Sequence, residues 1–314
     1  MSVGNAKIVL TGAAGLVGQN LAVLLEERGY GHLLGIDKHT HNAGVLRALH
    51  PSMEIIEADL AQIGDWSDSF SGASALIMLQ AQIGGERRED FVANNITSTE
   101  NVLAACRQHG IEYIVHVSSS VVNSRAHDFY TETKKAQEKL VVESGIKHCV
   151  LRPTLMFGWF DRKHLGWLSR FMQKVPLFPI PGSGHYLRQP LYIMDFCRVI
   201  AACLEQQPDC LTYDISGLEE IDYIEIIREI KQATKSRTPI IKIPYHVFWG
   251  MLKLYGVFDR NPPFTTKQLE ALVIPERFPI IPWGELFGFK PTPFRDAIRE
   301  TFADPRFANV ALEF

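Results

Sequence analysis

A glycine pattern near the start of the chain constrains the fold more than any other feature. It reads Thr-Gly-Ala-Ala-Gly-Leu-Val-Gly over residues 11–18. A β-branched and apolar run, Lys7 to Thr11, leads into it, and apolar residues at helical spacing from Gly15 to Arg28 follow it. This order predicts the first strand, turn and helix of a doubly wound α/β fold. Gly12 would form the tight turn, and Gly18 would let helix and strand pack closely.

Strand and helix patterns alternate through the first half of the chain, as in a parallel sheet whose strands are connected by helices. The predicted strands are Lys7–Thr11, His32–Asp37, Met53–Glu57, Ala75–Leu79, Glu112–Ser118 and Lys147–Leu151. The predicted helices are Gly15–Arg28, Glu86–Gln108 and Asp128–Glu143. We therefore expect a Rossmann-type doubly wound parallel sheet over residues 1–155.

The composition changes after Arg152-Pro153, where proline, glycine and aromatic residues become frequent. Such a segment is typical of a loop-rich lobe that closes over a ligand. Two later runs, Leu191–Ile193 and Leu211–Ile215, are predicted to be strands that return to the sheet. We therefore expect a smaller, discontinuous C-terminal substrate lobe made of residues 156–188 and 217–314, with residues 189–216 returning to the first domain.

Composition excludes several classes of protein. The 314 residues carry a formal net charge of -3, which lacks the basic excess typical of nucleic-acid-binding proteins, so no nucleic acid partner is expected. The cysteines show no paired close spacing and are expected to be reduced, as in a cytoplasmic protein. They are Cys106, Cys149, Cys197, Cys203 and Cys210.

The longest membrane-like stretch runs from Ile240 to Phe258. It is interrupted by Lys242, Pro244 and Lys253, so we expect no integral membrane segment. No secretory leader precedes the first strand. A peripheral contact with a membrane or a hydrophobic ligand stays open.

The glycine turn has the features of a dinucleotide site. Gly15 lets the backbone approach a pyrophosphate, and the N-terminus of the following helix faces the phosphate charge. The backbone of Ala14, Leu16 and Val17 completes the predicted turn around that group. The expected ligands are therefore a dinucleotide cofactor and a small-molecule substrate.

Asp37 ends the next predicted strand, roughly twenty residues beyond the glycines. A carboxylate at this place accepts hydrogen bonds from the ribose hydroxyls and repels a 2′-phosphate, which predicts NAD rather than NADP. Lys38, His39 and His41 lie close in sequence and leave some tolerance of NADP open. A cap or turn role is the structural alternative for Asp37.

Tyr130 and Lys134 are four residues apart and therefore share a face of their predicted helix. A phenol is a poor base unless a nearby cation favours the phenolate, and Lys134 together with an oxidised nicotinamide ring would supply that field. Three serines, Ser118, Ser119 and Ser120, end the fifth predicted strand. A tyrosine and lysine alone are common, but after a glycine turn and a serine-ended strand they are informative.

Together these motifs resemble the extended branch of the short-chain dehydrogenase/reductase superfamily, the NAD-dependent epimerase/dehydratase family with its nucleoside-diphosphate-sugar epimerases. The resemblance implies that Asp59 and Leu60 meet the adenine ring, and that Leu79 and Ala81 lie beside the cofactor ribose. Asn95 matches a helix asparagine of the family. The further matching segments are Arg152-Pro153-Thr154, residues 188–195 and residues 286–291.

The resemblance also implies roles for the candidate catalytic residues. Tyr130 would transfer the proton, while Lys134 would lower its pKa and bind the nicotinamide ribose. Ser120 is the best match for the residue that hydrogen-bonds the reacting hydroxyl, with Ser119 as the alternative, and Ser118 would contact the cofactor. Arg188 would meet a phosphate or carboxylate of the substrate, or else serve a structural ion pair.

Two departures narrow the expected reaction. Val121 and Val122 stand where family dehydratases carry an Asp-Glu pair, which argues against loss of water. Leu155 and Met156 follow the Arg-Pro where nucleotide-sugar members usually have an asparagine, and the stretch from the serines to the tyrosine is short. The last two differences argue against a nucleotide-sugar substrate, but they do not affect the prediction of the cofactor.

The expected function is an NAD-dependent epimerase or oxidoreductase acting on a secondary hydroxyl of a nucleotide sugar. One alternative is a dehydrogenase or isomerase of a hydrophobic, steroid-like alcohol, suggested by C-terminal aromatics that could equally be core. Another is a catalytically silent dinucleotide-binding module similar to complex I accessory subunits. The resemblance further implies a homodimer built from the helices Glu86–Gln108 and Asp128–Glu143.

Overall fold

The computed structural model describes residues 6–258, 264–308, 310 and 312–313. The strands are β1 (Lys7–Thr11), β2 (His32–Asp37), β3 (Glu54–Glu57), β4 (Ala73–Met78), β5 (Tyr113–Val117), β6 (Lys147–Pro153), β7 (Met156–Phe157), β8 (Phe178–Pro181), β9 (Leu187–Arg188), β10 (Leu191–Tyr192), β11 (Leu211–Ile215), β12 (Ile221–Asp222) and β13 (Ile240–Ile243).

The α-helices alternate with these strands in the first half and dominate the second. They are α1 (Leu16–Glu27), α2 (Thr40–Leu49), α3 (Arg88–Phe91), α4 (Ser98–His109), α5 (Phe129–Val142), α6 (Leu165–Lys174), α7 (Ile193–Gln206), α8 (Tyr223–Ala233), α9 (Tyr245–Phe258), α10 (Thr266–Val273), α11 (Trp283–Leu286) and α12 (Phe294–Ala303).

Seven parallel strands form the central sheet in the order β11-β6-β5-β4-β1-β2-β3. The chain builds β1, β2 and β3 in one direction and then crosses to the other side of β1, where it adds β4, β5 and β6. The strand order therefore reverses between β1 and β4. In such sheets ligands bind outside the carboxyl ends of the strands at this reversal, and the glycine turn follows β1 there. The predicted Rossmann-type sheet is confirmed.

Two helices differ from the sequence expectations. Helix α2 was not among the predicted helices, and only Asn42, Ala43 and Leu46 of its ten residues are buried. The predicted helix Glu86–Gln108 begins two residues later, at Arg88, and is π-helical from Val92 to Thr97. The wider turn lets the bulky and polar residues of this segment reach the sheet edge and α5.

The prediction that Leu191–Ile193 returns to the main sheet is wrong. Leu191 and Tyr192 pair with Met156 and Phe157 in a separate two-stranded ladder, and Ile193 already begins α7. Leu211–Ile215 does join the main sheet, as β11 beside β6. The segment between them covers the sheet as a helix, and α7 packs on α1.

One hydrophobic core extends from the sheet into the C-terminal part of the chain. It includes Leu10 and Leu151 of the sheet together with Ile180 and Ile227 of the second lobe. Each fully buried side chain of this kind contributes about 1.5–3 kcal/mol. The two predicted domains share this core, and the boundary at residue 155 stays a prediction.

Candidate active site

The glycine turn is crowded on both sides, as its sequence predicts. Gly12 has a φ of 69°, and a β-carbon placed on it would lie 2.6 Å from the backbone nitrogen of Gln80, just beyond β4. A β-carbon on Gly18 would lie 2.2 Å from the carbonyl oxygen of Ala13. Both distances are far below van der Waals contact, so only glycine fits at either position.

The first turn of α1 is arranged to receive an anion. Gly15 is its N-cap, no side chain caps the helix, and the first turn has no acidic residue. The first N–H groups of a helix have no intrahelical acceptor, and here they belong to Leu16 and Val17. These amides and the helix dipole could hold a pyrophosphate.

Asp37 lies at the carboxyl end of β2, beside the glycine turn. One carboxylate oxygen accepts a hydrogen bond from the backbone N–H of Ala14 at 2.9 Å, and the other accepts from the N–H of His39 at 2.9 Å. The Asp37 side chain thus stabilises the turn, which is the structural role that the sequence left open for it. It remains only half-buried, so it can also meet a ribose.

Lys38 faces Asp59 rather than open solvent alone. Its ammonium donates to the side-chain oxygen of Asn94 at 2.6 Å and lies 3.7 Å from the Asp59 carboxylate. Leu60, the next residue, is buried, and its carbonyl accepts a hydrogen bond from Asn101. Because the charge of Lys38 is partly balanced by Asp59, the pair offers little net attraction to a 2′-phosphate.

The end of β4 closes the other side of the crevice. The Thr11 hydroxyl donates to the Gln80 side-chain oxygen at 2.5 Å, and the Leu79 N–H donates to the Thr11 carbonyl at 3.0 Å. Leu79 and Ala81 are half-buried on either side of Gln80. Their backbone therefore runs along the reversal point, where the resemblance expects the cofactor ribose.

The three serines after β5 differ in their contacts, and Ser119 is the one that influences Tyr130. The Tyr130 phenol shares a hydrogen bond with the Ser119 side chain. Ser120 begins a short 3-10 turn and is half-exposed. Ser118 is buried, and its hydroxyl donates to Glu138 at 2.6 Å. Ser119 therefore influences the phenol, and the Ser118 hydroxyl is engaged by Glu138; the predicted roles of Ser118 and Ser120 stay predictions.

Burial is the main influence on the Tyr130 phenol and raises its pKa. The negative charge of Asp128 raises that pKa further, while the hydrogen bond from Ser119 opposes the rise. In the protein alone the pKa of Tyr130 is therefore raised, and its lowering by Lys134 together with an oxidised nicotinamide ring stays a prediction.

Lys134 is almost fully buried, with 1% of its surface exposed. Its ammonium donates to the Val117 carbonyl at 3.1 Å and to the side-chain oxygen of Gln137 at 2.5 Å. Burial lowers the pKa of Lys134 to about 7, and the charge of Glu138 opposes that shift. The lysine is thus held at the end of β5 by partners on the sheet and on its own helix.

A buried polar network supports this lysine, and sequence reasoning missed it. The Gln137 amide donates to the Gln80 carbonyl at 3.2 Å and to the Thr99 hydroxyl at 3.0 Å. The Asn95 side chain accepts from the Gln82 N–H and donates to Thr133. Asn95 is fully buried and holds this network together, and its contact with the cofactor stays a prediction.

An ion pair anchors the same helix to the end of β6. Arg152 donates to the Glu138 carboxylate through two nitrogens, at 3.1 and 2.5 Å, and Ser118 donates to that carboxylate as well. The hydrogen bond with Glu138 raises the pKa of Arg152. Gln137 and Glu138 lie three and four residues beyond Lys134, a helical spacing that could have revealed them.

A cavity of about 560 Å³ opens at the carboxyl edge of the sheet in the second lobe. Leu155, two residues beyond β6, is part of its wall, and so are Trp167 and the cations Arg162 and Lys163. Burial lowers the pKa of both cations. The wall thus combines apolar surface with positive charge, which suits a ligand that carries both kinds of group.

Arg188 lines this cavity but is engaged elsewhere. Its guanidinium donates to the carbonyls of Ile274, at 2.7 Å, and of Leu272, at the end of α10, and lies 3.8 Å from the Glu276 carboxylate. Only 13% of the side chain is exposed. The contacts of Arg188 are therefore structural ones, because its guanidinium caps the C-terminus of α10.

The chain is similar to several known enzymes over most of its length. A 3 beta-hydroxysteroid dehydrogenase/Delta 5-->4-isomerase from Mycobacterium tuberculosis is 27% identical over 323 residues, covering 91% of this chain and 86% of that protein. A 2-alkyl-3-oxoalkanoate reductase from Stenotrophomonas maltophilia is 25% identical, covering 91% and 94%. The crystal structure of UDP-glucuronic acid 4-epimerase from Bacillus cereus in complex with NAD superposes with a TM-score of 0.69 at 21% identity, covering 94% and 96%.

The model of one protein family matches most of the chain. It is described as the NAD dependent epimerase/dehydratase family and covers residues 8–215, from β1 to the last residue of β11. That span contains the glycine turn, Asp37, Ser119, Tyr130 and Lys134. NAD fits the uncapped start of α1 and the carboxylate beside it. The chain therefore belongs to the NAD-dependent epimerase/dehydratase family, and its cofactor is NAD.

Proposed function

We propose that this protein oxidises a secondary hydroxyl of a nucleotide sugar and returns the hydride to the opposite face, so that the product is an epimer. The observation that supports this proposal is the influence of Ser119, just beyond the carboxyl end of β5, on the Tyr130 phenol, at the same edge of the sheet as the glycine turn after β1. Bound NAD supplies the hydride acceptor. The protein must supply the proton transfer and the orientation.

Tyr130 and Ser119 divide this work between them. The phenol accepts the hydroxyl proton as the carbon is oxidised, and gives it back on reduction. The Ser119 hydroxyl holds the reacting oxygen and favours the phenolate through its hydrogen bond. We therefore assign the substrate-orienting role to Ser119, where the sequence had favoured Ser120.

Lys134 and Gln137 place a positive charge near the nicotinamide ribose. The buried ammonium is held at two points, by Val117 and Gln137, and keeps further donors for a ribose hydroxyl. Because its pKa is about 7, this group is only partly charged at neutral pH in the protein alone. An electron-rich ligand beside it favours the charged form.

The second-lobe cavity supports a nucleotide sugar as the substrate class. Its cations, Arg162 and Lys163, suit a diphosphate, and Trp167 offers an aromatic face for a base or sugar. The matched Bacillus cereus structure is named a UDP-glucuronic acid 4-epimerase. A hydrophobic alcohol is the second candidate, because the apolar wall includes Leu155 and Leu168 and the Mycobacterium tuberculosis relative is named a hydroxysteroid dehydrogenase.

Substrate panels separate these candidates. The protein is incubated with NAD and UDP-sugars, GDP-sugars or 3-hydroxysteroids, while reduced cofactor is followed by absorbance and products by chromatography. Epimer formation without accumulation of reduced cofactor supports the proposal. Accumulation of reduced cofactor with a steroid supports the second candidate instead.

Tyr130→Phe tests the mechanism independently of substrate class. It removes the proton-transferring hydroxyl and should lower kcat by about 10²–10⁴-fold while leaving NAD affinity nearly unchanged. Ser119→Ala should lower kcat more than the matched control Ser120→Ala. Full activity of the phenylalanine variant would show that the assignment is wrong, and NAD binding without turnover of any substrate would indicate a silent module.

We also propose a cytoplasmic homodimer. Phe129 and Val142, at the two ends of α5, are exposed apolar side chains on a helix that packs beside α4. Pairing of these helices across a two-fold axis would cover them. The free cysteines, of which Cys106, Cys149, Cys197 and Cys203 are buried, suit a reducing compartment. Light scattering would test the oligomeric state.

A further inference from the structure

Helix α9 is the most apolar of the longer helices described, yet it buries none of its residues. The exposed fraction is 63% for Leu254 and 82% for Phe258. A monomeric soluble protein rarely leaves several large apolar side chains together on its surface. This helix therefore presents a face that the described residues do not cover.

The exposed side chains form one stripe at steps of four, three and four residues. We call Val247, Met251, Leu254 and Phe258 the α9 stripe. Such spacing places all four on one side of the helix. Another side contacts α10 and the residues just before it, because the Trp249 indole donates to Glu270 at 3.1 Å and the centroids of the Phe248 and Phe264 rings lie 6.4 Å apart. The helix is thus held in place with its stripe outward.

Positive charge is concentrated immediately before this stripe. Residues 230–258 contain five lysine and arginine residues and no aspartate or glutamate, in a chain whose net charge is -3. Lys231, Lys235 and Lys242 line a surface groove of about 610 Å³ together with Arg228, whose charge is paired with Glu225; we call it the basic groove. Lys242 lies three residues before the start of α9.

We propose that the α9 stripe and the basic groove dock this protein on the surface of an anionic lipid bilayer. An amphipathic helix with aromatic and aliphatic residues on one face lies in the interface between headgroups and acyl chains. Lysine and arginine side chains beside it attract anionic headgroups. The helix has 14 residues, whereas about 20 apolar residues are needed to cross a bilayer, and no described helix is long and apolar enough to do so.

Charge favours a membrane over a second copy of the chain as the occupant. A two-fold contact through the stripe would bring the same surface of both copies together. Residues 230–258, which include α9, carry only positive charges, so such a contact would bring like charges together. An anionic bilayer covers the same apolar side chains and neutralises the lysines.

Helix α10 connects the docking face to the substrate cavity. It contacts α9, and its Gln268 and Leu272 belong to the cavity wall. Docking would hold this wall next to the lipid. The inference does not depend on the proposed function, because lipid binding can be measured without turnover.

The test is cosedimentation of the whole chain with vesicles. Phosphatidylcholine vesicles containing phosphatidylserine should bind the protein at low salt, and pure phosphatidylcholine vesicles should bind it much less. Lys235→Gln and Lys242→Gln should each weaken binding about fivefold, as expected for one basic residue at a charged membrane. Lys139→Gln, which removes an exposed lysine from α5, is the matched control and should change nothing.

The double substitution L254E and F258E should lower vesicle binding by more than about tenfold, since two inserted apolar side chains are lost. Ile63→Glu, at an apolar side chain that is 95% exposed elsewhere, is the control. All these positions are on the surface, so NAD binding should be retained as proof of folding. Equal binding to both kinds of vesicle overturns the proposal. So does a stripe-dependent dimer that ignores lipid.

Discussion

Helices α5 and α9 have the same length of 14 residues, but the fold uses them in opposite ways. The polar α5 buries six residues, Lys134 and Gln137 among them, whereas the apolar α9 buries none. Lys134, Gln137 and Glu138 of α5 can be buried because residues at the ends of β5, β4 and β6 supply hydrogen-bond partners for them. The difference teaches that burial here follows the available partners, not the apolar content of a helix.

Removal of Arg152, the partner of Glu138, should change the free energy of unfolding more than any other substitution that separates the burial of α5 from that of α9. Arg152→Ala leaves the carboxylate, only 12% exposed, with Ser118 alone, and should lower the free energy of unfolding by about 3–5 kcal/mol. Urea unfolding measures this loss. The control Arg228→Ala removes an exposed pair with Glu225 and should cost about 1 kcal/mol or less. Equal losses in the two variants would mean that α5 is not anchored by its buried pair.

Gln137→Ala should have a smaller effect on stability but a specific one on the site. It removes the acceptor of the Lys134 ammonium and the donor to Gln80, and should lower the free energy of unfolding by about 1–3 kcal/mol. The lysine then loses one of its two fixed contacts, so NAD should bind more weakly. Calorimetric titration with NAD checks this. Gln108→Ala, at an exposed position of α4, should leave both quantities unchanged.

The sequence predicts the parts of this site that short stretches of chain determine. The glycine turn, the carboxylate after β2 and the shared face of Tyr130 and Lys134 all depend on spacings of at most about twenty residues. The surroundings of each serine depend instead on how the chain turns after β5, so the sequence alone did not show that Ser119 influences the Tyr130 phenol.

Contacts between distant parts of the chain were out of reach of the sequence. Gln137 meets Gln80 across 57 positions, and Arg188 meets Ile274 across 86. No local pattern shows that Arg188 caps α10. The C-terminal aromatics illustrate the same limit, because Phe178 is buried in the core while Phe258 is exposed. The sequence shows that these aromatic residues are apolar, but it does not show which residues they contact.

The charge of Lys134 should make stability depend on pH. Its pKa is about 7 in the folded protein and 10.5 in the unfolded chain, so the unfolded state binds more protons between these values. The free energy of unfolding should therefore rise with pH across this window, by up to about 1.4 kcal/mol per pH unit. Lys134→Met should lack this rise, whereas Lys139→Met, at an exposed lysine of the same helix, should keep it. Parallel urea-unfolding profiles for Lys134→Met and the unmodified protein would contradict the buried charge.

Substitutions in α9 should have the smallest effect on the free energy of unfolding, as expected for a helix that buries none of its residues. Leu254→Glu places a charge on a side chain that is already 63% exposed, so the free energy of unfolding should change by about 0.5 kcal/mol or less. Leu25→Glu, at a fully buried position of α1, should prevent folding and serves as the contrast. A loss of several kcal/mol in Leu254→Glu would mean that the stripe is covered by protein in solution. The face proposed to meet lipid would then be part of the folded core or of an interface between copies, and the contrast between α5 and α9 would disappear.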